Sequence, residues 1–328
     1  MKLLSVNPLS LNSQKHNAFT DFVKFKNAYY ICYREAQNHV SKDGLIRILK
    51  SLDLLHWQTV SILKFELSDL RDPKLSVSPK NQLALLFYHK QYDSAGALLS
   101  NLSKVSFSQT GDSWGTPITL SENKWWLWRL TWLKEAQAPF ALGVAYNRAS
   151  HCVRLYAGDP GRSFKCIQPE LFSLRKNGKG YPNESEVIFL ADGTALCLLR
   201  RDVDTGSAQL GVAKSPYKRW QWIDLRYYLG GPAMLQLSNG EIWIAARLFT
   251  KRNKPVTALL KLALSCNNVG EYRASLTPTL KLPSAGDNSY PGLLEDNGHL
   301  FVSYYSEHQG QSSHVYLAKL AIGGKISS

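Results

Sequence analysis

The chain has 328 residues, 44% of them hydrophobic and 11% aromatic, enough apolar surface for a large buried core and too much for a disordered protein. Its formal charge of +14 draws anions of any kind, whether nucleic acid, acidic lipid or acidic sugar. The lysines and arginines are scattered, as at Lys24, Lys26, Arg47 and Lys50, and never run beyond two in a row, so no nucleic-acid partner is expected.

Read in chain order, short β-branched and aromatic runs at 28–33, 46–51, 82–88, 140–146, 187–190, 195–199, 242–246 and 300–305 predict strands, with no long amphipathic helix among them. Asp43-Gly44, Asp192-Gly193, Asn239-Gly240 and Asn297-Gly298 are two-residue hairpin signals between such runs. The last three belong to a larger repeat at 190–196, 237–243 and 294–300: an apolar residue, a polar turn with Gly, and a new apolar strand. Their spacing of about 50 residues is that of four-stranded propeller blades. It divides the chain into about six units, roughly 20–62, 70–120, 125–170, 181–226, 230–282 and 288–322. The expectation is an all-β protein, a six-bladed β-propeller spanning 1–328 as one domain, with the N-terminal strand completing the last blade. A pair of β-sandwiches is the alternative, and it leaves the period unexplained.

Cys32, Cys152, Cys166, Cys197 and Cys266 are odd in number and form no CxxC pair, which reads as free thiols of a reducing compartment. The first eight residues lack the apolar run of a secretory signal, so a cytoplasmic location is expected. No stretch approaches the roughly 18 apolar residues of a membrane span. Neither metal-ligand spacing nor a phosphate-cradling Gly loop is visible, so no metal and no cofactor are expected.

Charged residues recur at the ends of the predicted strands. Arg34 follows the run ending at Tyr33, and His39 and Asp43 share the loop after it. Asp69-Leu70-Arg71-Asp72-Pro73 opens the second unit, where Pro73 restricts Asp72 to extended geometry. Glu184 and Glu186 lie one hairpin before Arg200 and Arg201, which point to opposite faces of a strand, so at most one of the two reaches a shared centre. Arg247 closes the run 242–246, Tyr290 stands between Asp287 and Pro291, and Glu307 follows the run 300–305. Three further segments, from Ser51 to Trp57, Ser108 to Trp114 and Ser215 to Trp222, combine a short polar turn with a tryptophan that covers its outer face.

In this order and over nearly the whole chain, these motifs resemble the sialidase superfamily, and the Ser-to-Trp segments look like worn forms of its Asp-box. The resemblance implies a six-bladed propeller and a glycoside hydrolase that releases a terminal anionic sugar, sialic acid or a related acidic sugar. Arginine forks suit the carboxylate of such a sugar, and the resemblance gives that part to Arg34, to Arg200 or Arg201, and to Arg247, with Glu307 orienting Arg34. A carboxylate nucleophile would be repelled, and a neutral tyrosine avoids this; the implied pair is Tyr290 with Glu184 as its base and Glu186 beside it. The implied acid is Asp43. Asp72 is its rival or an acceptor of sugar hydroxyls, since an Arg-Asp-Pro triplet also occurs in furanosidase-type glycosidases, and His39 is a further substrate contact. The chain departs from the family in placing Glu35 directly after Arg34. Two alternatives stand beside this reading: a non-catalytic carbohydrate-binding propeller, and a glycosidase of different sugar specificity that uses Asp72 and Glu184.

Overall fold

Short strands with apolar residues on both faces need both faces covered, and sheets stacked face to face around an axis achieve this. The computed structural model describes residues 1–10, 14–134, 138–310 and 312–323. In it β1 (Lys2–Pro8) comes first in the chain, and the sheets follow in order. The first holds β2 (His16–Phe25), β3 (Ala28–Ala36), β4 (Leu45–Ser51) and β5 (Gln58–Leu63). The second holds β6 (Ser68–Val77), β7 (Leu83–Tyr92), β8 (Leu98–Ser108) and β9 (Ile118–Thr119). In the third, the short β10 (Trp126–Leu127) and β11 (Thr131–Trp132) both pair with β12 (Ala141–Asn147), followed by β13 (Cys152–Asp159) and β14 (Ser163–Ser173). The fourth comprises β15 (Pro182–Phe189), β16 (Ala195–Arg201), β17 (Gln209–Ala213) and β18 (Gln221–Asp224). The fifth comprises β19 (Gly230–Gln236), β20 (Ile242–Phe249), β21 (Pro255–Cys266) and β22 (Tyr272–Lys281). The sixth comprises β23 (Asn288–Asp296), β24 (His299–Ser306) and β25 (His314–Ala321), and β1 adds to its outer edge.

All pairings are antiparallel, so each sheet is a meander and the whole is a six-bladed β-propeller. The innermost strands close the ring: β2 packs on β6 and β23, β6 on β11, β11 on β15, β15 on β19, and β19 on β23. Burial follows this order, complete along β3 and partial along the outer β5. The Ser51–Trp57 turn is a structural hairpin, in which Ser51 Oγ accepts from Leu54 N at 2.9 Å and Trp57 packs on Phe22 at 6.2 Å between ring centroids. None of the five cysteines is bonded to another. No helix among the described residues is long and apolar enough to cross a membrane.

One irregularity recurs and builds the site. The register of the innermost strand breaks at the same place in five sheets: between Ala18 and Asp21, Arg71 and Lys74, Pro182 and Ser185, Gly230 and Ala233, and Ser289 and Gly292. In the third sheet the gap between β10 and β11, which contains Trp128, takes the equivalent place. Such bulges bend a strand and re-aim a side chain. Here they turn Phe19, Asp72, Glu184 and Tyr290 toward the axis, with left-handed φ of 60°, 45° and 49° at Phe19, Asp72 and Tyr290, so that Asp72 departs from the extended geometry expected before Pro73 because the bulge holds it. Side-chain-bearing residues adopt that region at a cost of order 1–3 kcal/mol, which the surrounding sheet must offset. Pro73, Pro232 and Pro291 follow three of the bulged residues, where the ladder is already interrupted and a missing N–H costs little.

Candidate active site

Tyr290 and Glu184 meet at the axis. The Tyr290 hydroxyl donates to Glu184 Oε1 at 2.7 Å, and Arg200 Nη1 donates to Glu184 Oε2 at 2.5 Å and to the Tyr290 oxygen at 3.1 Å. Gly231 N donates to Glu184 Oε2 at 2.9 Å. Gly231 has φ +52°, and a Cβ there would lie 2.7 Å from Cγ of the Tyr290 ring, so only glycine fits beneath that ring. Burial alone would raise Glu184; the charge and hydrogen bond of Arg200, joined by Tyr290 and the Gly231 N–H, outweigh it and hold the carboxyl below its ordinary value. Burial, reinforced by the charge of Glu184, raises the Tyr290 phenol well above its ordinary value, so at rest it is a neutral donor.

Asp72 enters the same cleft from the second sheet. It is buried, and burial raises its carboxyl against the opposing pull of Arg71 and Lys74, with Glu184 adding to the rise. Two carboxyls in one cleft whose environments push them in opposite directions, Glu184 toward the ion and Asp72 toward the acid, are the pattern of an acid and base pair. Arg247 lies beside them, its guanidinium 5.4 Å from the Tyr290 ring centroid, with Nε on Asn288 O at 2.9 Å and Nη2 on Asp287 Oδ1 at 2.8 Å. The cleft encloses about 460 Å³. Phe19, His39 and Arg71 line one side, and Tyr88, Trp126, Trp128 and Tyr146 form an aromatic wall in which Tyr88 and Trp126 stack at 3.9 Å.

Of the other residues singled out in the sequence, His39 lines the cleft and the rest lie elsewhere. Arg34 is fully buried and sealed: Nε donates to Asp69 Oδ1 at 2.9 Å, Nη1 to Asn38 O at 3.1 Å and Nη2 to Ser41 O at 2.8 Å. It does not line the cleft, and Glu307 does not hold it; Glu307 Oε2 accepts from Asp287 N at 2.9 Å. The alternation of β16 sends Arg200 to the centre and Arg201 to the opposite face, where it binds Gly180 O at 3.1 Å and Asp204 Oδ2 at 2.7 Å. Asp43 is exposed in the loop after β3, accepts from Gln37 N and does not line the cleft. Its slight burial is outweighed by the Ser41 hydroxyl and by backbone N–H donors, which hold the carboxyl below its ordinary value, the wrong direction for an acid. Glu186 lies under the floor against Arg129 at 2.6 Å, in a buried group with Asp21 and Lys74. His39 stands at the rim, Nδ1 2.6 Å from Asp287 Oδ2.

Sequence reasoning assigned no role to Asp69, Gly231, Asp287 or the aromatic wall. The dipeptides Asp72-Pro73, Gly231-Pro232 and Tyr290-Pro291, each at the start of a unit, are the signal that marks the bulges. Among the described residues one group could hold a metal ion, His16, His39 and Asp287, whose donor atoms lie within 4.8 Å of one another. The other Asp287 oxygen is taken by Arg247 and by the Tyr305 hydroxyl at 2.8 Å.

No protein-family model matches the chain, and no curated protein matches it in sequence. Solved structures match over almost its full length. A protein of unknown function from Dyadobacter fermentans has TM-score 0.80 and 18% identity, covering 98% of this chain and 99% of that one. The GH93 α-L-arabinofuranosidase of Fusarium graminearum, in complex with arabinobiose, has TM-score 0.65 and 12% identity over 98% of both chains. The Trypanosoma rangeli sialidase in complex with 2,3-difluorosialic acid has TM-score 0.65 and 9% identity, covering 97% of this chain and 59% of that one. The class is therefore defined at the level of fold, a six-bladed β-propeller of sialidase-like architecture. Within that class the chain is divergent, at 9–18% identity to these three structures.

Proposed function

We propose that the protein is a glycoside hydrolase in which Asp72 is the acid and the Glu184–Tyr290 pair is the nucleophilic device. The observation that carries this reading is the 2.7 Å hydrogen bond between Tyr290 and an ionised Glu184, in the cleft that Asp72 enters as a protonation-prone acid. As the glycosidic bond breaks, Asp72 gives its proton to the leaving oxygen, Tyr290 Oη attacks the anomeric carbon and the phenolic proton passes to Glu184 Oε1. Water then attacks the same carbon and gives a proton to Asp72, while the departing Tyr290 oxygen recovers its proton from Glu184. A terminal anionic sugar suits this chemistry, because its carboxylate would repel a carboxylate nucleophile, and Arg200 and Arg247 flank the tyrosine to receive it.

A second reading has its own support. Arg34 is sealed against Asp69, and Arg200 and Arg247 each already oppose a carboxylate, Glu184 and Asp287. A sugar without an anomeric carboxylate needs no clamp of three arginines, and Glu184 could then attack directly with Tyr290 holding it in place. The test is a panel of 4-nitrophenyl glycosides containing α-sialosides, uronides and α-L-arabinofuranosides. Turnover of the sialoside supports the first reading, and turnover of a neutral furanoside alone supports the second. No turnover of any glycoside, with acidic sugars still bound, leaves a carbohydrate-binding propeller.

A further inference from the structure

We propose that the part of the cleft formed by the second and third sheets is a leaving-side subsite for a sugar unit that itself carries an anionic group. This rests on the hydrolase reading and extends it to the other side of the scissile bond. Lys90 of β7, Lys124 in the turn before β10 and Arg148 after β12 line the same cleft as Asp72, Glu184 and Tyr290. Asp72 fixes the direction. As the acid it faces the leaving oxygen, and it belongs to the second sheet, as Lys90 does, so the leaving group departs toward these three cations. Tyr290 stands on the sixth sheet, across the axis from β10.

Local backbone contacts fix the segments that carry these cations, and among the described residues the three side chains lack carboxylate partners; Lys124 and Arg148 are exposed. Lys124 N donates to Asn101 O at 3.0 Å and to Asn101 Oδ1 at 2.9 Å, and Lys90 pairs with Asn101 across β7 and β8, so the two lysines flank that asparagine. Arg148 begins a short turn capped by Asn147, whose Oδ1 accepts from Ala149 N at 2.9 Å. Among the described residues no carboxylate lies within ion-pair distance of Lys90, Lys124 or Arg148. The neighbouring acids are engaged elsewhere: Asp69 pairs with Arg34 and Arg71, and Glu122 pairs with Arg154 and accepts from the Tyr156 hydroxyl. Lys90 is half-buried, and burial followed by the charge of Arg71 lowers its ammonium, a strain that an incoming anion would relieve. With Arg71, four cations face two carboxyls in this cleft, and Asp72 carries no charge when it is poised as the acid. Asn101 and Asn147 add amide groups of the kind that bind sugar hydroxyls.

The anionic group can be the carboxylate of a uronic acid or a sulfate ester, and the test separates them. Trigalacturonate, galactotriose sulfated at O6 and unmodified galactotriose are titrated into the protein by calorimetry at low and high salt. At least one acidic trisaccharide should bind about tenfold or more tightly than the neutral one at low salt, the gap closing as salt screens the charges. The triple variant K90Q/K124Q/R148Q should lose that preference. The variant K214Q/K218Q/R219Q, with the same charge change in the exposed β17–β18 turn at the other end of the strands, should keep it. Equal affinity for acidic and neutral trisaccharides overturns the proposal, as does equal loss in both variants, which marks attraction to the basic surface as a whole. Binding is read without turnover, so failure of the hydrolase reading on the glycoside panel shows separately.

Discussion

Tyr290 Oη lies 2.7 Å from Glu184 Oε1 across 106 positions of sequence, and each of the two residues sits in the register break of its own innermost strand. The contact therefore depends on two bulges formed independently in sheets four and six. Its geometry can be disturbed from either side without touching the other.

Replacing Tyr290 with Phe removes the hydroxyl and keeps the ring. If Tyr290 attacks, kcat should fall by about a thousandfold or more while product affinity stays within about tenfold. Single-turnover kinetics with an activated aryl glycoside measure this; a loss of only about tenfold assigns the attack to Glu184.

Activity should depend on pH as a bell whose two limbs are moved apart, the rising one toward acid and the falling one toward alkali. Turnover requires ionised Glu184, whose carboxyl is held below its ordinary value, and protonated Asp72, whose carboxyl is raised. The rate rises with pH through the first ionisation and falls through the second. Asp72→Asn should remove the falling limb, and it should harm substrates with poor leaving groups more than aryl glycosides; a retained limb assigns it to another group.

Glu186 makes a prediction about stability. Burial, opposed by Arg129 and reinforced by Asp21, raises its carboxyl to about 8, above the ordinary 4.5. The folded state thus holds a proton that the unfolded chain releases, so this contribution is fully present below pH 4.5 and is lost as pH rises through about 8. Glu186→Gln should flatten the fall of Tm across that window, read by thermal denaturation at a series of pH values; an unchanged slope removes Glu186 as its source.

Arg34→Ala should act on folding. It leaves Asp69 buried with Arg71 alone and frees the carbonyls of Asn38 and Ser41, a loss of about 3 kcal/mol for breaking a buried pair. Denaturant unfolding measures it. A stable Arg34→Ala protein whose KM rises instead would return Arg34 to the substrate.

Gly231→Ala should lower both activity and stability, because a Cβ at that position pushes on the Tyr290 ring, 2.7 Å away, and the left-handed φ strains any side chain. Comparing kcat with Tm separates the two effects.

The six-bladed fold was legible because blade period and turn chemistry are local: the hairpins at 190–196, 237–243 and 294–300 repeat the apolar, polar-Gly, apolar pattern. Glu184, Arg247 and Tyr290, with Arg200 or Arg201, could be grouped because their motifs, in this order, resemble those of the sialidase superfamily. What stayed hidden depends on contacts between blades. Nothing near Arg34 in sequence announces that Asp69, on the next sheet, takes its guanidinium. Asp43 and Asp72 could not be ranked without knowing that one is exposed in a loop and the other is buried by a bulge. Strand alternation separates Arg200 from Arg201, but its phase is set by the register of β15 on β16, which shifts at the bulge itself.

The pairing of β1 with β25, from Lys2 opposite Ala321 to Pro8 opposite Tyr316, ties closure of the ring to chemistry. The two strands lie about 300 positions apart in sequence, and the sheet they complete is the one that presents Tyr290. Until β1 pairs, sheet six has an unpaired edge along β25, a template for another chain. A molecule with β1 unpaired exposes that edge in the sheet that carries Tyr290, so the appearance of activity during refolding should coincide with the loss of aggregation.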